Sequence, residues 1–200
     1  MRLCAICAKE NKTCCVSRDI LLSAGDLERI AVHTGAADFF ELRKPTSPEY
    51  LDQDDDPNWN LYTLFADGSR RVVKHGSPGI CWFLTARGCL LPGQVRPLVC
   101  RLHPVEFTEQ MITGLSRECP AEHLPENETL LTNLEMDLDL AELCRQQLYA
   151  ELRQETLHRS TKQPNQKRTG KSKEYMGSAG YPPGSLGDAA NCRQRLWPVR

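Results

Sequence analysis

The chain has 200 residues, 40 % of them hydrophobic, and a formal net charge of −1 at pH 7. This length predicts one domain with room for a tail, and the near-zero charge excludes a strong overall attraction to nucleic acid. The apolar runs are only a few residues long, which excludes a membrane-spanning helix. The opening stretch MRLCAICAKENKTCC lacks the apolar core of a secretory signal. These features predict a cytoplasmic protein whose thiols stay reduced.

The first predicted element is a helix within residues 20–35. Ser23 is a good N-cap, and Asp26 stands three residues later, where a capping box needs an acidic partner. Gly35 is placed to end the helix. Residues 36–42 are predicted to add one or two further helical turns.

The middle of the chain is predicted to contain a loop and a hairpin. Residues 61–66 and 71–74 flank Asp67-Gly68, a turn pair that favours a β-hairpin. Residues 44–60 before it are rich in proline and aspartate, which predicts an exposed loop. Its acidic run resembles part of a calcium loop but lacks the required glycine and glutamate, so solvated side chains are the better interpretation. The run consists of Asp52, Asp54, Asp55 and Asp56.

The second half is predicted to end in a long helix. Residues 78–104 are dense in glycine, proline and cysteine, which leaves little room for regular structure. Residues 105–112 suit a short strand. Leucines repeat at helical spacing over residues 134–157, which predicts the longest helix of the chain. Cys144 lies on the apolar face of that helix and is predicted to be a core residue.

The composition changes at residue 159. Residues 159–200 contain nine Lys or Arg and two Asp or Glu, whereas residues 1–158 contain sixteen and twenty-four. The sequence therefore predicts a domain over residues 1–158 and a disordered basic tail over residues 159–200, which includes Cys192. The dispersed charges of this tail favour simple solvation, and nucleic acid would be contacted only through it.

Ten cysteines in a reducing compartment point to metal binding rather than to disulfides. The CxxC spacing at the N-terminus is typical of turns that bind metal ions or iron–sulfur clusters. Adjacent cysteines point to opposite sides of an extended segment, so one member of the CC pair can serve a second metal or the core. His103 and His123 are alternatives that could complete a Cys/His site. The eight candidate ligands are Cys4, Cys7, Cys14, Cys15, Cys81, Cys89, Cys100 and Cys119.

The segment RPLVCRLHP surrounds one of these cysteines with prolines and arginines. Pro97 is placed to open a short helix that carries Cys100, and Pro104 is placed to end it. Arg96 and Arg101 are the candidate cofactor-binding residues, because they can offset the charge of a thiolate centre and donate hydrogen bonds to sulfur.

Several pieces of the sequence occur in the order of a known family. They are the CxxC and CC motifs, LLSAGDLERIAVHTG, GICWFL, the Gly88-Cys89 pair and RPLVCRLHP. Together they resemble the YkgJ-type cysteine-cluster family of zinc- or iron-chelating proteins, over roughly residues 1–150. The resemblance implies a bound metal centre without settling which metal. A similar cysteine segment occurs in flagellin lysine N-methylase, which implies methyl transfer in some members.

The sequence as a whole predicts a small α+β domain stapled by metal, with irregular cysteine-rich loops, a short β-hairpin and a long C-terminal helix. All-cysteine ligation at unequal spacings favours an iron–sulfur cluster, such as [4Fe–4S], over zinc. The leading hypothesis is an electron-transfer role with an unknown redox or protein partner and no membrane. The alternatives are a structural zinc module that binds protein or RNA, and a cluster-dependent methyl- or group-transfer enzyme or its accessory. Whether the protein is an enzyme stays open.

Overall fold

A computed structural model of the protein combines α-helices with short antiparallel strand pairs, which confirms the predicted α+β class. Among its described helices, none is long and apolar enough to cross a membrane. The structure describes Leu3, Ile6 and Cys119 together with residues 15–16, 18–45, 50–51, 54–76, 79–116, 121–134 and 136–161.

Five helices and eight strands are described. The helices are α1 Ala24–Thr34, α2 Trp59–Thr63, α3 Leu98–Leu102, α4 Leu130–Asn133 and α5 Leu138–Thr161. The strands are β1 Phe40–Arg43, β2 Arg70–Val73, β3 His75–Gly76, β4 Ile80–Cys81, β5 Leu84–Thr85, β6 Gly88–Cys89, β7 Val105–Phe107 and β8 Ile112–Leu115. They form four separate pairs, β1–β2, β3–β4, β5–β6 and β7–β8.

Helix α1 has the capping box that the sequence predicts. The Ser23 hydroxyl accepts from the Asp26 N–H at 3.0 Å, and the Ser23 N–H donates to the Asp26 carboxylate at 3.1 Å. Gly35 follows the helix with a φ of 67°, a left-handed conformation in which glycine carries no penalty. Both predicted ends of the helix are confirmed.

The predicted hairpin around Asp67-Gly68 is wrong, and so is the helical extension over residues 36–42. Residues 61–63 belong to α2, and β2 pairs instead with β1, with Phe40 opposite Val73. The Asp67 carboxylate accepts from the Ser69 N–H at 3.0 Å and so makes a local turn without a strand before it. The pairing of β1 with β2 is favoured because it places Phe39 in the hydrophobic core and packs Phe40 against it. Tertiary packing therefore overrides the local turn signal.

The predicted single strand over residues 105–112 is in fact the start of a hairpin. Strand β7 ends at Phe107, and the chain turns through Thr108, whose N–H donates to the Met111 carbonyl at 2.9 Å. Strand β8 then returns beside β7, with Val105 opposite Leu115. Together with β3–β4 and β5–β6, this pair is one of three described short hairpins of consecutive strands, none of which lies at residues 61–74.

Two hydrophobic clusters form the core, and α3 lies between them. Val99 and Cys100 pack against the first cluster, whereas Leu98 and Leu102 belong to the second. Cys144 is 1 % exposed in the second cluster, so its predicted core position is confirmed. The first cluster contains Ile20, Leu22, Ile30, Phe39, Val73, Cys81, Phe83 and Leu91, and the second adds Leu21, Val105, Ala141, Leu148 and Leu152.

A buried polar network joins α1, α3 and α5. Asp26, which has no exposed surface, accepts from the Leu98 N–H at 3.0 Å and from the Arg29 guanidinium at 2.6 Å. Arg29 also donates to Glu151 of α5 at 2.5 Å. Burial raises the pKa of Asp26, and the charge of Arg29 opposes that rise. One carboxylate thus caps α1 and also holds the first turn of α3.

The prediction that the acidic run of residues 52–56 is solvated is wrong for Asp56. Asp54 and Asp55 are exposed, but Asp56 is only 3 % exposed and accepts a hydrogen bond from the Tyr149 hydroxyl of α5. Burial raises the pKa of Asp56. The ring of Trp59, 5.9 Å from that of Tyr149, is part of the aromatic packing around this pair. Asp52 lies outside the described residues.

The last turn of α5 passes the predicted domain boundary at residue 158. Arg159 donates to the Leu64 carbonyl at 3.2 Å, and its guanidinium lies 4.8 Å from the centre of the Phe65 ring. These contacts explain why the helix continues to Thr161. The predicted tail from residue 162 onward, including Cys192, lies outside the described residues.

Candidate metal centre

Four of the candidate ligands face one cavity. Cys15, Cys81, Cys89 and Cys100 all line a space of about 260 Å³ beside the first hydrophobic cluster. They come from four separate parts of the chain, so only the tertiary fold brings them together. Cys81, Cys89 and Cys100 are free thiols.

Backbone hydrogen bonds position the first three thiols. The Cys81 N–H donates to the Cys15 carbonyl at 2.7 Å, which joins β4 to the N-terminal segment. Cys89 stands opposite Leu84 in the β5–β6 pair. Gly88, the first residue of β6, has a φ of 101°, a conformation that would be strained for a residue with a side chain. Glycine at this position lets the chain reverse immediately before a cavity cysteine.

Helix α3 positions the fourth thiol as the sequence predicts. Pro97 precedes the helix, and its carbonyl accepts from the Cys100 N–H at 2.9 Å. The helix ends at Leu102, two residues before Pro104. The prediction of a short helix between the two prolines is therefore confirmed.

The electrostatics of the thiols reflect burial and mutual proximity. Burial raises the pKa of Cys81 to about 12. Burial also raises the pKa of Cys100 well above its ordinary value, and the nearby Cys15, Cys81 and Cys89 add to the rise. Thiols with pKa values raised in this way ionise poorly at neutral pH unless a cation stabilises the thiolate. A bound cation is the kind of partner that stabilises such thiolates.

Arginine side chains lie beside the thiols, where the sequence places them. Burial raises the pKa of Cys89, while the charge of Arg96 and its hydrogen bond to the thiol oppose the rise. The Nε–H of Arg96 donates to the Leu91 carbonyl at 3.1 Å, which orients the guanidinium. Arg101 lines the same cavity, as does Arg18.

Cys119 lies near the cavity but does not line it, unlike the four cysteines described above. Its Sγ is 3.1 Å from Nε2 of His103, and His103 lines the cavity whereas Cys119 does not. His123 lies in a short 3₁₀ turn over Ala121–His123. Three further candidate ligands, Cys4, Cys7 and Cys14, lie outside the described residues.

Two features of the site are not predicted by the sequence reasoning. Asp26 is expected as a helix cap, but no sequence signal indicates its bond to Leu98 of α3. Apolar side chains from the segment before α5 and from α5 itself also line the cavity. They are Leu134, Met136, Leu140 and Cys144.

Within the described part of the chain, no three His, Cys, Asp or Glu side chains form a group that could hold a single metal ion.

Comparisons of the chain with protein-family models, with curated proteins and with solved structures each found no match.

Proposed function

We propose that this protein holds an iron–sulfur cluster and serves in electron transfer. The resemblance to the YkgJ-type family suggests a bound metal centre, and the all-cysteine donor set favours iron–sulfur over zinc. The observation that carries the proposal is the grouping of Cys15, Cys81, Cys89 and Cys100 around one cavity. A donor set made only of sulfur suits iron–sulfur clusters and zinc, and excludes hard cations such as magnesium and calcium.

The donor set and the size of the site favour a cluster over one zinc ion in this proposal. Ligation by cysteine alone, at unequal spacings along the chain, is typical of iron–sulfur clusters. The cavity, of about 260 Å³, also leaves room for a group larger than one ion. A bound cluster supplies one-electron transfer, and the four cysteines are the residues that would hold it.

The proposal also accounts for the irregular structure between β3 and α3. Strands β4, β5 and β6 have two residues each, too few to be stable alone. Cys81 and Cys89 lie on β4 and β6, and the Cys15 carbonyl accepts a hydrogen bond from the Cys81 N–H. A metal centre would join them and stabilise the fold, which is how we interpret the predicted stapling. Cys4, Cys7, Cys14 and Cys119 stay candidate ligands of the same centre or of a second one.

Arg96 and Arg101 supply positive charge at the cavity. A thiolate-bound cluster is anionic, so nearby cations stabilise it and favour the reduced form. In this proposal Arg96 acts on the centre through its contact with Cys89.

A reductive titration of the anaerobically purified protein tests the electron-transfer role. We expect visible absorption that bleaches with dithionite and returns on oxidation. Arg96→Ala should lower the midpoint potential by roughly 50 mV, because a positive charge near the cluster is removed. Arg96→Lys should restore most of that shift.

The exposed Lys44, which follows β1, provides the control. Lys44→Ala removes the same charge elsewhere and should leave the potential unchanged. A protein without reversible absorption changes would contradict the electron-transfer role. Equal potentials in the wild type and Arg96→Ala would show that Arg96 does not influence the centre.

A further inference from the structure

Basic and acidic residues are unevenly distributed along the chain, although the overall net charge is close to zero. Residues 68–105, the acid-free segment, contain six Lys or Arg and no Asp or Glu. The rest of residues 1–158 contains ten Lys or Arg and twenty-four Asp or Glu. The acid-free segment carries Cys81, Cys89 and Cys100. The acid-free segment also supplies most of the residues that line the cavity, whose lining outside this segment includes Arg18 and Asp19.

Within the part of the chain that the structure describes, ion pairs and burial account for some of these six charges, but not for that of Arg87. Arg71 pairs with Glu155 at 2.7 Å, and Lys74 pairs with Asp38. Arg87 is exposed in the turn between β5 and β6, where its N–H donates to the Thr85 hydroxyl at 3.2 Å, and it does not line the cavity. Of the others, one is buried (Arg70) and two line the cavity (Arg96, Arg101).

Two large apolar side chains are exposed next to the cavity cysteines. Trp82 directly follows Cys81 and is 53 % exposed, and Leu90 directly follows Cys89 and is 62 % exposed. Both have fixed backbones, since the Trp82 N–H donates to the Lys74 carbonyl and the Leu90 N–H donates to the Phe83 carbonyl. Exposed tryptophan is costly in water and is enriched at protein interfaces.

We propose that Trp82, Arg87 and Leu90 form the docking surface for an electron-transfer protein whose own contact surface is acidic. The inference rests on the proposed function and extends it to the class of partner. Opposite charges steer such encounters, and the small apolar contact fits the limited interfaces of redox pairs. A partner seated here lies one residue from two of the proposed ligands, which gives an electron a short covalent route.

The test uses the purified full-length protein with two redox probes, an acidic flavodoxin and the basic cytochrome c. Binding of each probe is measured by isothermal titration, and electron transfer by stopped-flow absorption. The protein is first reduced with dithionite, so that its cluster loses one electron and the oxidised probe gains it. We expect the flavodoxin to bind more tightly and to be reduced faster at low salt. Arg87→Glu should lower its second-order rate constant about tenfold, and this difference should shrink at high salt. Trp82→Ala should weaken binding at every salt concentration.

Matched controls place the same changes elsewhere on the surface. Lys44→Glu reverses a charge next to β1, and Val32→Ala trims a side chain of α1 that is 82 % exposed. Neither should change binding or rate by more than about twofold. Cytochrome c should respond to Arg87→Glu in the opposite direction.

The outcomes separate the docking surface from the cluster. Flavodoxin binding that weakens in Arg87→Glu and Trp82→Ala, in a protein without iron, would support the surface and refute the proposed function. A protein with a redox-active cluster that neither binds flavodoxin nor distinguishes these variants from their controls would overturn the docking proposal. Binding of a single-stranded RNA oligonucleotide through the same residues, without flavodoxin binding, would also overturn it.

Discussion

The Cys100→Ser variant is expected to lose most of its iron and to unfold at a markedly lower temperature. Cys100 lies on α3, faces the same cavity as three other thiols, and packs against the first core cluster. Loss of residues that only support metal ligands costs about 10–100-fold in affinity, and loss of a direct ligand should cost more. Iron analysis and thermal unfolding of wild type and variant measure both effects.

Cys144→Ala is the matched control for this substitution. Cys144 lines the cavity from α5 but belongs to the second hydrophobic cluster. We expect its removal to cost about 1 kcal/mol of stability with iron retained. Deletion of residues 162–200 should also leave iron unchanged. Full iron content and unaltered melting in Cys100→Ser would show that this thiol is not a ligand.

Asp26→Ala is expected to lower the free energy of unfolding by about 3 kcal/mol or more. The substitution leaves the Leu98 N–H and the Ser23 N–H without their acceptor, and it removes one of the two carboxylates around Arg29. Buried polar groups that lose a charged partner pay their full desolvation cost. Urea unfolding followed by circular dichroism measures the change.

Asp26→Asn separates shape from charge, because the amide keeps one acceptor oxygen but does not neutralise Arg29. Its effect should be smaller than that of alanine. Glu28→Ala removes an exposed carboxylate from the same helix and should change stability by less than about 0.5 kcal/mol. An Asp26→Ala variant as stable as the Glu28 control would contradict the role of Asp26 in joining α1 to α3.

Local signals predict the elements that depend on local chemistry. The capping box of α1 and the proline-bounded helix α3 are confirmed, because caps and prolines act within a few residues of themselves. The core position of Cys144 follows from helical periodicity in the same way. The candidate cysteines near the cavity could also be named from composition and spacing alone.

Non-local pairing accounts for what the sequence did not predict. The sequence of β1 predicts a continuation of helix α1. The segment is extended because it pairs with β2, about thirty residues further along the chain. Asp56 lies in an acidic run that suggests solvation, and the hydroxyl that pairs with it comes from Tyr149, far along the chain. Asp26 likewise contacts α3 over a long sequence separation. None of these partners has a local signature.

Analysis of iron, zinc and acid-labile sulfide in the anaerobically purified protein tests the central claim most directly. The structure groups Cys15, Cys81, Cys89 and Cys100 around one cavity, and we propose that they hold an iron–sulfur cluster. A [4Fe–4S] cluster predicts about four iron and four sulfide per chain with little zinc. A colourless protein with stoichiometric zinc and no sulfide would contradict the proposal.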